Sequence, residues 1–163
     1  IEIIARSLRD SVKGDPEGRA QMALGQYIAG MGFSNVGLGI VHSMAHPLSA
    51  VYDIPHGVAC AILLTPVLKF NAPSTADKYR DIAVAMGVKN TEDMSIEQAR
   101  QACIEAVEKL SVDVGIPQKL TQLGVKEEDL QFLSEFAFVD ACTPGNPRDV
   151  SVEAIKEIYK SIM

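Results

Sequence analysis

The chain has 163 residues, 47% of them hydrophobic and 22% charged, with a formal net charge of −6. That size and balance suit one globular domain with a real core and exclude a disordered segment. The acidic surplus leaves no basic footprint for nucleic acid or an anionic membrane, and no unbroken run of about 18 apolar residues is present to span one. Three widely spaced cysteines, Cys60, Cys103 and Cys142, lack the C-x-x-C spacing. Such a sparse, odd set reads as reduced thiols and predicts a cytoplasmic protein.

Taken in order, Glu2 to Val12 carries Ile3, Ile4, Leu8 and Val12 on one helical stripe. KGDPEGRA breaks it, and Asp15 is placed to cap a second helix with Pro16 at its first position and Glu17 in its first turn. That helix is expected to run to about Gly32; its small residues Ala23, Gly25, Ala29 and Gly30 suit either a close helix approach or ordinary core packing. After a histidine-bearing region, VACAILLTPVLKFN reads as a buried helix whose pattern Pro66 interrupts. Thr75 to Met86 predicts an amphipathic helix closed by Gly87. Ser95 and Gln98 form a capping box for a helix reaching about Val114, stopped by Gly115-Ile-Pro117. Lys126 to Val139 predicts another helix, TPGNPRDV a turn-rich loop, and Ser151 caps a last helix to about Ile162. Nothing alternates with period two for long enough to be a strand, and no G-x-G-x-x-G phosphate loop occurs. The expected fold class is all-α.

All three histidines, His42, His46 and His56, lie between Gly37 and Gly57. His42 and His46 at i, i+4 share one helix face, roughly 40° apart with about 6 Å between their stems. Pro47 follows at once, which predicts that the helix stops there and leaves His42 in its last turns. A short connector would then bring His56, after Pro55, to the start of a new helix beside the first two rings. Imidazole is a common metal ligand, so the arrangement suits a metal site. Spacing alone, without a third clear ligand, favours hydrogen-bonded packing histidines over a metal site, and no H-E-x-x-H supports a zinc protease.

The string GLGIVHSMAHPLSAVYDIPHGVACAILL resembles the signature of the iron-containing (group III) alcohol dehydrogenases, the family of lactaldehyde reductases and propanediol dehydrogenases. The pattern G-x-x-H-x-x-A-H-x-x-G-x-x-x-x-x-P-H-G is met at Gly39, His42, Ala45, His46, Pro55, His56 and Gly57. It departs at Ser49, where glycine is usual. MALGQYIAGMGFSNVGLG, LSVDVGIP, LGVKEEDL and DACTPGNPR extend the resemblance over essentially the whole chain.

The resemblance implies the helical C-terminal domain of the dehydroquinate synthase-like, iron alcohol dehydrogenase fold, one metal-and-substrate domain over residues 1–163. It implies a divalent iron, with zinc as the alternative ion, held by one aspartate and three histidines. His42 and His56 would be two of these ligands, and an upstream D-x-x-x-H pair outside this chain would supply the others. His46 would stand beside the nicotinamide of NAD or NADP as a proton-relay group, and Phe33 and Cys142 would line the pocket there. Arg148 is expected to be structural, bonding nearby carbonyls. The implied substrate is a small alcohol, diol or aldehyde. The implied partners are an N-terminal nucleotide-binding α/β domain and further copies in a homo-oligomer. The start at Ile1, inside a helix, fits the C-terminal part of a longer enzyme, inactive as this piece alone. The rival readings are a non-enzymatic helical interaction or oligomerisation module, and a freestanding metal-binding hydrolase.

Overall fold

A computed structural model describes residues 1–163 and contains eight α-helices, short 3₁₀ turns and no strand. The all-α expectation holds. The chain divides into two compact units, one from residues 1–36 and 75–115, the other from residues 37–74 and 116–163.

In the first unit, α1 (Glu2–Val12) and α2 (Pro16–Val36) form a hairpin. The Asp15 carboxylate accepts the Gly18 N–H at 2.6 Å, the expected cap. Gly25 is buried against α1, where a Cβ would sit 3.0 Å from Ile4 and 3.2 Å from Ile3, so one of the small residues does serve close approach. α2 runs past Gly32 because nothing between Phe33 and Val36 breaks a helix; Gly37, at φ +79°, ends it. α5 (Lys78–Ala85) starts a turn later than the pattern suggests and ends before Gly87, at φ +89°. α6 (Ile96–Asp113) opens with the full capping box: Ser95 Oγ accepts Gln98 N–H at 3.2 Å and Gln98 Oε1 accepts Ser95 N–H at 2.8 Å. Arg9 on α1 meets Asp113 at the end of α6 at 2.8 Å.

The second unit packs α3 (Ile40–Tyr52), α4 (His56–Asn71), α7 (Leu130–Phe138) and α8 (Val152–Lys160) around one core. α3 contributes Ile40, Met44 and Leu48, all fully buried. α4 and the 3₁₀ turn after it, His56–Ser74, are long and apolar enough to cross a membrane by length and composition. Ala59, Ile62, Leu63, Pro66 and Val67 are buried in the core of this unit, which accounts for those apolar positions. α7 begins as a tight 3₁₀ turn, Glu127–Asp129, before becoming α-helical at Leu130.

The helix does not stop at Pro47. α3 continues through it to Tyr52, so His42 lies in the first turn and not the last. A proline inside a helix costs about 3 kcal/mol through the lost N–H and the clash with the preceding turn. Burying Ile40, Met44 and Leu48 returns about 1.5–3 kcal/mol each, and Pro47 is itself buried, so tertiary packing outweighs the local penalty. The helix ends instead at Asp53, whose φ of 53° is left-handed, a conformation aspartate tolerates better than most residues. Ser49 therefore lies within α3, and replacing the usual glycine there disturbs no turn.

The segment after α7 is pinned beneath the start of α3 and the end of α4. The Thr143 hydroxyl bridges the Ser43 hydroxyl at 2.8 Å and the Ala137 carbonyl at 2.7 Å. Asn71 and Asn146 exchange reciprocal amide hydrogen bonds at 2.9 and 2.8 Å. Arg148 donates to the Phe70 carbonyl at 2.6 Å and stacks 4.2 Å over that ring, the structural role expected of it. At Gly145 a Cβ would collide with the Leu38 carbonyl oxygen. Gly145→Ala should therefore cost about 1–3 kcal/mol in urea unfolding, the range for overpacking. Gly57→Ala, with open space at its Cβ, is the control. Equal stability of the two variants would contradict the clamp.

Candidate functional site

The three imidazoles converge in the second unit. His42 and His46 project from the face of α3 opposite the Ile40–Met44–Leu48 stripe, and His56 opens α4 after the Asp53–Pro55 connector. Ile54, 5% exposed, anchors that connector in the core. Ring centroids lie 5.5 Å apart for His42–His56 and for His46–His56, and 6.4 Å apart for His42–His46. None of the rings is sealed: His42 and His46 are half-buried and His56 is exposed.

Two donor groups can be distinguished. In the first, the ligating atoms of His42, His56 and Cys60 all lie within 4.8 Å of one another; the second joins His46, Asp140 and Cys142 by the same measure. His46 Nδ1 is 2.8 Å from Asp140 Oδ2, and Asp140 Oδ1 accepts the Cys142 backbone N–H at 2.8 Å. A carboxylate fixed in this way holds an imidazole in one orientation and, as acceptor, favours the proton on Nδ1.

The electrostatics follow from the crowding. Burial lowers the His42 pKa below its ordinary 6.5, the charges His56 and His46 would carry lower it further, and Asp140 opposes them. His42 thus keeps its lone pair to a lower pH than a free imidazole does. For Asp140, burial works upward, but the Cys142 N–H and the His46 ring outweigh it and leave the carboxyl below its usual range. Burial pushes the Cys142 thiol up, with Asp140 adding to the shift, and pushes Cys60 up to about 11. Both are neutral thiols when no cation is near.

Of the residues singled out in the sequence, His42, His46, His56 and Cys142 are brought together in the second unit. Phe33 belongs to the first unit, near the end of α2, where it is 48% exposed. Asp140 and Cys60 were not anticipated. Cys60 stands at i+4 from His56, the same spacing that drew attention to His42 and His46, so its signal was available. Asp140 meets His46 across 94 positions of sequence, and no local pattern marks such a pairing.

Comparison with known proteins gives a consistent result. Residues 1–163 match the family model described as Fe-containing alcohol dehydrogenase family, C-terminal. Lactaldehyde reductase of Escherichia coli (strain K12) is 59% identical over 159 residues, covering 98% of this chain and 41% of that protein. NAD-dependent methanol dehydrogenase of Bacillus methanolicus is 38% identical over 149 residues, covering 91% of this chain and 39% of that protein. A crystal structure of 1,3-propanediol oxidoreductase superposes with a TM-score of 0.96 at 41% identity, covering 99% of this chain and 43% of that one. The chain thus spans about two fifths of the length of the curated relatives it matches.

Because His42 is held neutral, its contribution to stability is whole above 6.5 and is lost as the pH falls through the lowered folded-state value. An NMR titration of the metal-free protein should put the His42 midpoint below 6.5, and Asp140→Asn should move it lower still by removing the one opposing charge. A midpoint at or above 6.5 would contradict this electrostatic picture.

Proposed function

Because the chain belongs to the Fe-containing alcohol dehydrogenase family, as its C-terminal domain, we propose that the histidine cluster is the metal end of an NAD(P)-dependent alcohol dehydrogenase. The observation that carries this reading is the convergence of His42 and His56, from two different helices, onto one half-open spot. The donor set fits a divalent iron or zinc: two imidazole nitrogens close enough to share an ion, one of them kept neutral, with solvent-facing room for further ligands. Bound there, such an ion supplies Lewis-acid polarisation of an alcohol or carbonyl oxygen for hydride exchange with a nicotinamide.

The chain's own residues then have separate tasks. His42 and His56 hold the ion with neutral rings, which ties binding to pH, since protonation removes the lone pair each ring uses. Asp140 keeps His46 turned, with the proton on Nδ1, so that Nε2 is the atom that accepts the alcohol proton in oxidation and returns it in reduction. Cys142 stiffens that dyad through its backbone N–H. The substrate class is a small alcohol, diol or aldehyde, in keeping with the names of the relatives. Residues 1–163 supply the metal-and-substrate domain, and a nucleotide-binding domain brings NAD or NADP to it.

In the full-length protein containing this chain, His42→Ala and His56→Ala should abolish metal retention. His46→Ala should keep the metal and lose about 10–100-fold in rate, the usual cost of an outer partner. Elemental analysis of the three purified variants decides it, and metal lost equally from His46→Ala would make that ring a ligand. The 163-residue chain alone, given iron, NAD or NADP and a small primary alcohol, should show no turnover. Robust turnover would contradict the division of labour between two domains.

A further inference from the structure

We propose that the second half of α2 is the seat of the residues that immediately precede Ile1 in the full-length protein, which run back along it as a helical continuation of α1. From Ala20 to Val36, α2 carries no charged residue. It nevertheless lies open in this chain: Leu24 is 48% exposed, Ile28 45%, Met31 48% and Val36 83%. A helix that faces water carries charge on its wet side, and one that is apolar or neutral all round is an inner helix. An open face of this kind marks a missing partner.

The geometry of the hairpin identifies that partner. α1 and α2 run antiparallel, with Gly18 against Asp10 and Ser11, and Gly25 against Ile3 and Ile4. At one residue for one, these two contacts put Tyr27 and Ile28 level with Ile1. The stretch from Ile28 to Val36, roughly 13 Å of helix, therefore extends past the start of α1. The side of α2 that meets α1 continues along this overhang. Gly18 and Gly25 are buried on it, whereas Gly32, at the next equal step, has nothing within 4 Å of where its Cβ would be. Val36, one turn on, is the most exposed large hydrophobic residue of the chain. In the full-length protein, the residues upstream of this C-terminal domain enter α1 at Ile1, beside the overhang. Isoleucine is a poor cap and gives α1 no side-chain cap, so a helix can run back past it. A second copy of the chain would have to reach the same face with the upstream residues already next to it. The seat depends on the chain being a C-terminal domain and not on which residues hold the metal.

The test is photo-cross-linking of the full-length protein carrying Val36→p-benzoylphenylalanine, followed by digestion and mass spectrometry. The cross-link should lie within one chain, on the stretch about eight residues before Ile1, where an antiparallel helix would pass Val36. A cross-link to a second copy, a cross-link to any other part of the protein, or none at all would overturn the seat. Ile28→Lys gives a second reading that needs no photochemistry. It should lower the unfolding midpoint of the full-length protein by at least ~4 °C, because the ammonium would be buried beneath the upstream helix. A smaller shift would leave Ile28 facing water and overturn the seat as well.

Discussion

Burial of one stripe of α3 fixes the rest of the second unit. Ile40, Met44 and Leu48 fall on one side of that helix and have no exposed surface. On a 3.6-residue period, His42, His46 and Ser49 then fall on the opposite side. Anchoring the apolar side therefore aims two imidazoles away from the core. The buried Tyr159 strengthens the anchor by donating its hydroxyl to the Met44 carbonyl at 2.6 Å. Core packing thus sets which side of α3 the two imidazoles leave from.

A second layer of order comes from polar contacts. The loop after α7 is bonded to the first turn of α3 through Thr143 and Ser43, and to the end of α4 through Asn146 and Asn71. Those contacts set where Asp140 stands, and Asp140 sets how His46 turns. The result is a graded site. One pair of rings stands free to share an ion, while the third is committed through Nδ1 to a carboxylate. Three residues of one type, at nearly equal mutual distances, thereby receive different chemistry from their partners. The His42 and His56 nitrogens thus stand apart from the His46–Asp140 pair, whose facing atoms are already hydrogen-bonded to each other.

Much of this was legible in the sequence, for identifiable reasons. Caps and stops are local, so Asp15, Ser95, Gly87 and Ser151 mark their helix ends as the structure has them. The histidine motif was legible because its spacing and prolines form one contiguous string. Pro47 misled because the local rule counts the lost N–H and cannot count the packing of Ile40 and Leu48 that outweighs it. Asp140 was invisible for a related reason: its partner is reached only once α7 and α3 have packed together. Cys60 was overlooked although its signal, one helical turn from His56, was as local as any.

On the proposed reading, α3 and α4 of this chain together hold one metal ion through His42 and His56. Anomalous diffraction from crystals of the full-length protein loaded with iron or zinc tests it most directly. A single strong peak is expected within about 2.0–2.3 Å of donor atoms on both His42 and His56, with His46 left hydrogen-bonded to Asp140. A peak centred on His46 and Asp140, or one that touches neither His42 nor His56, would contradict it.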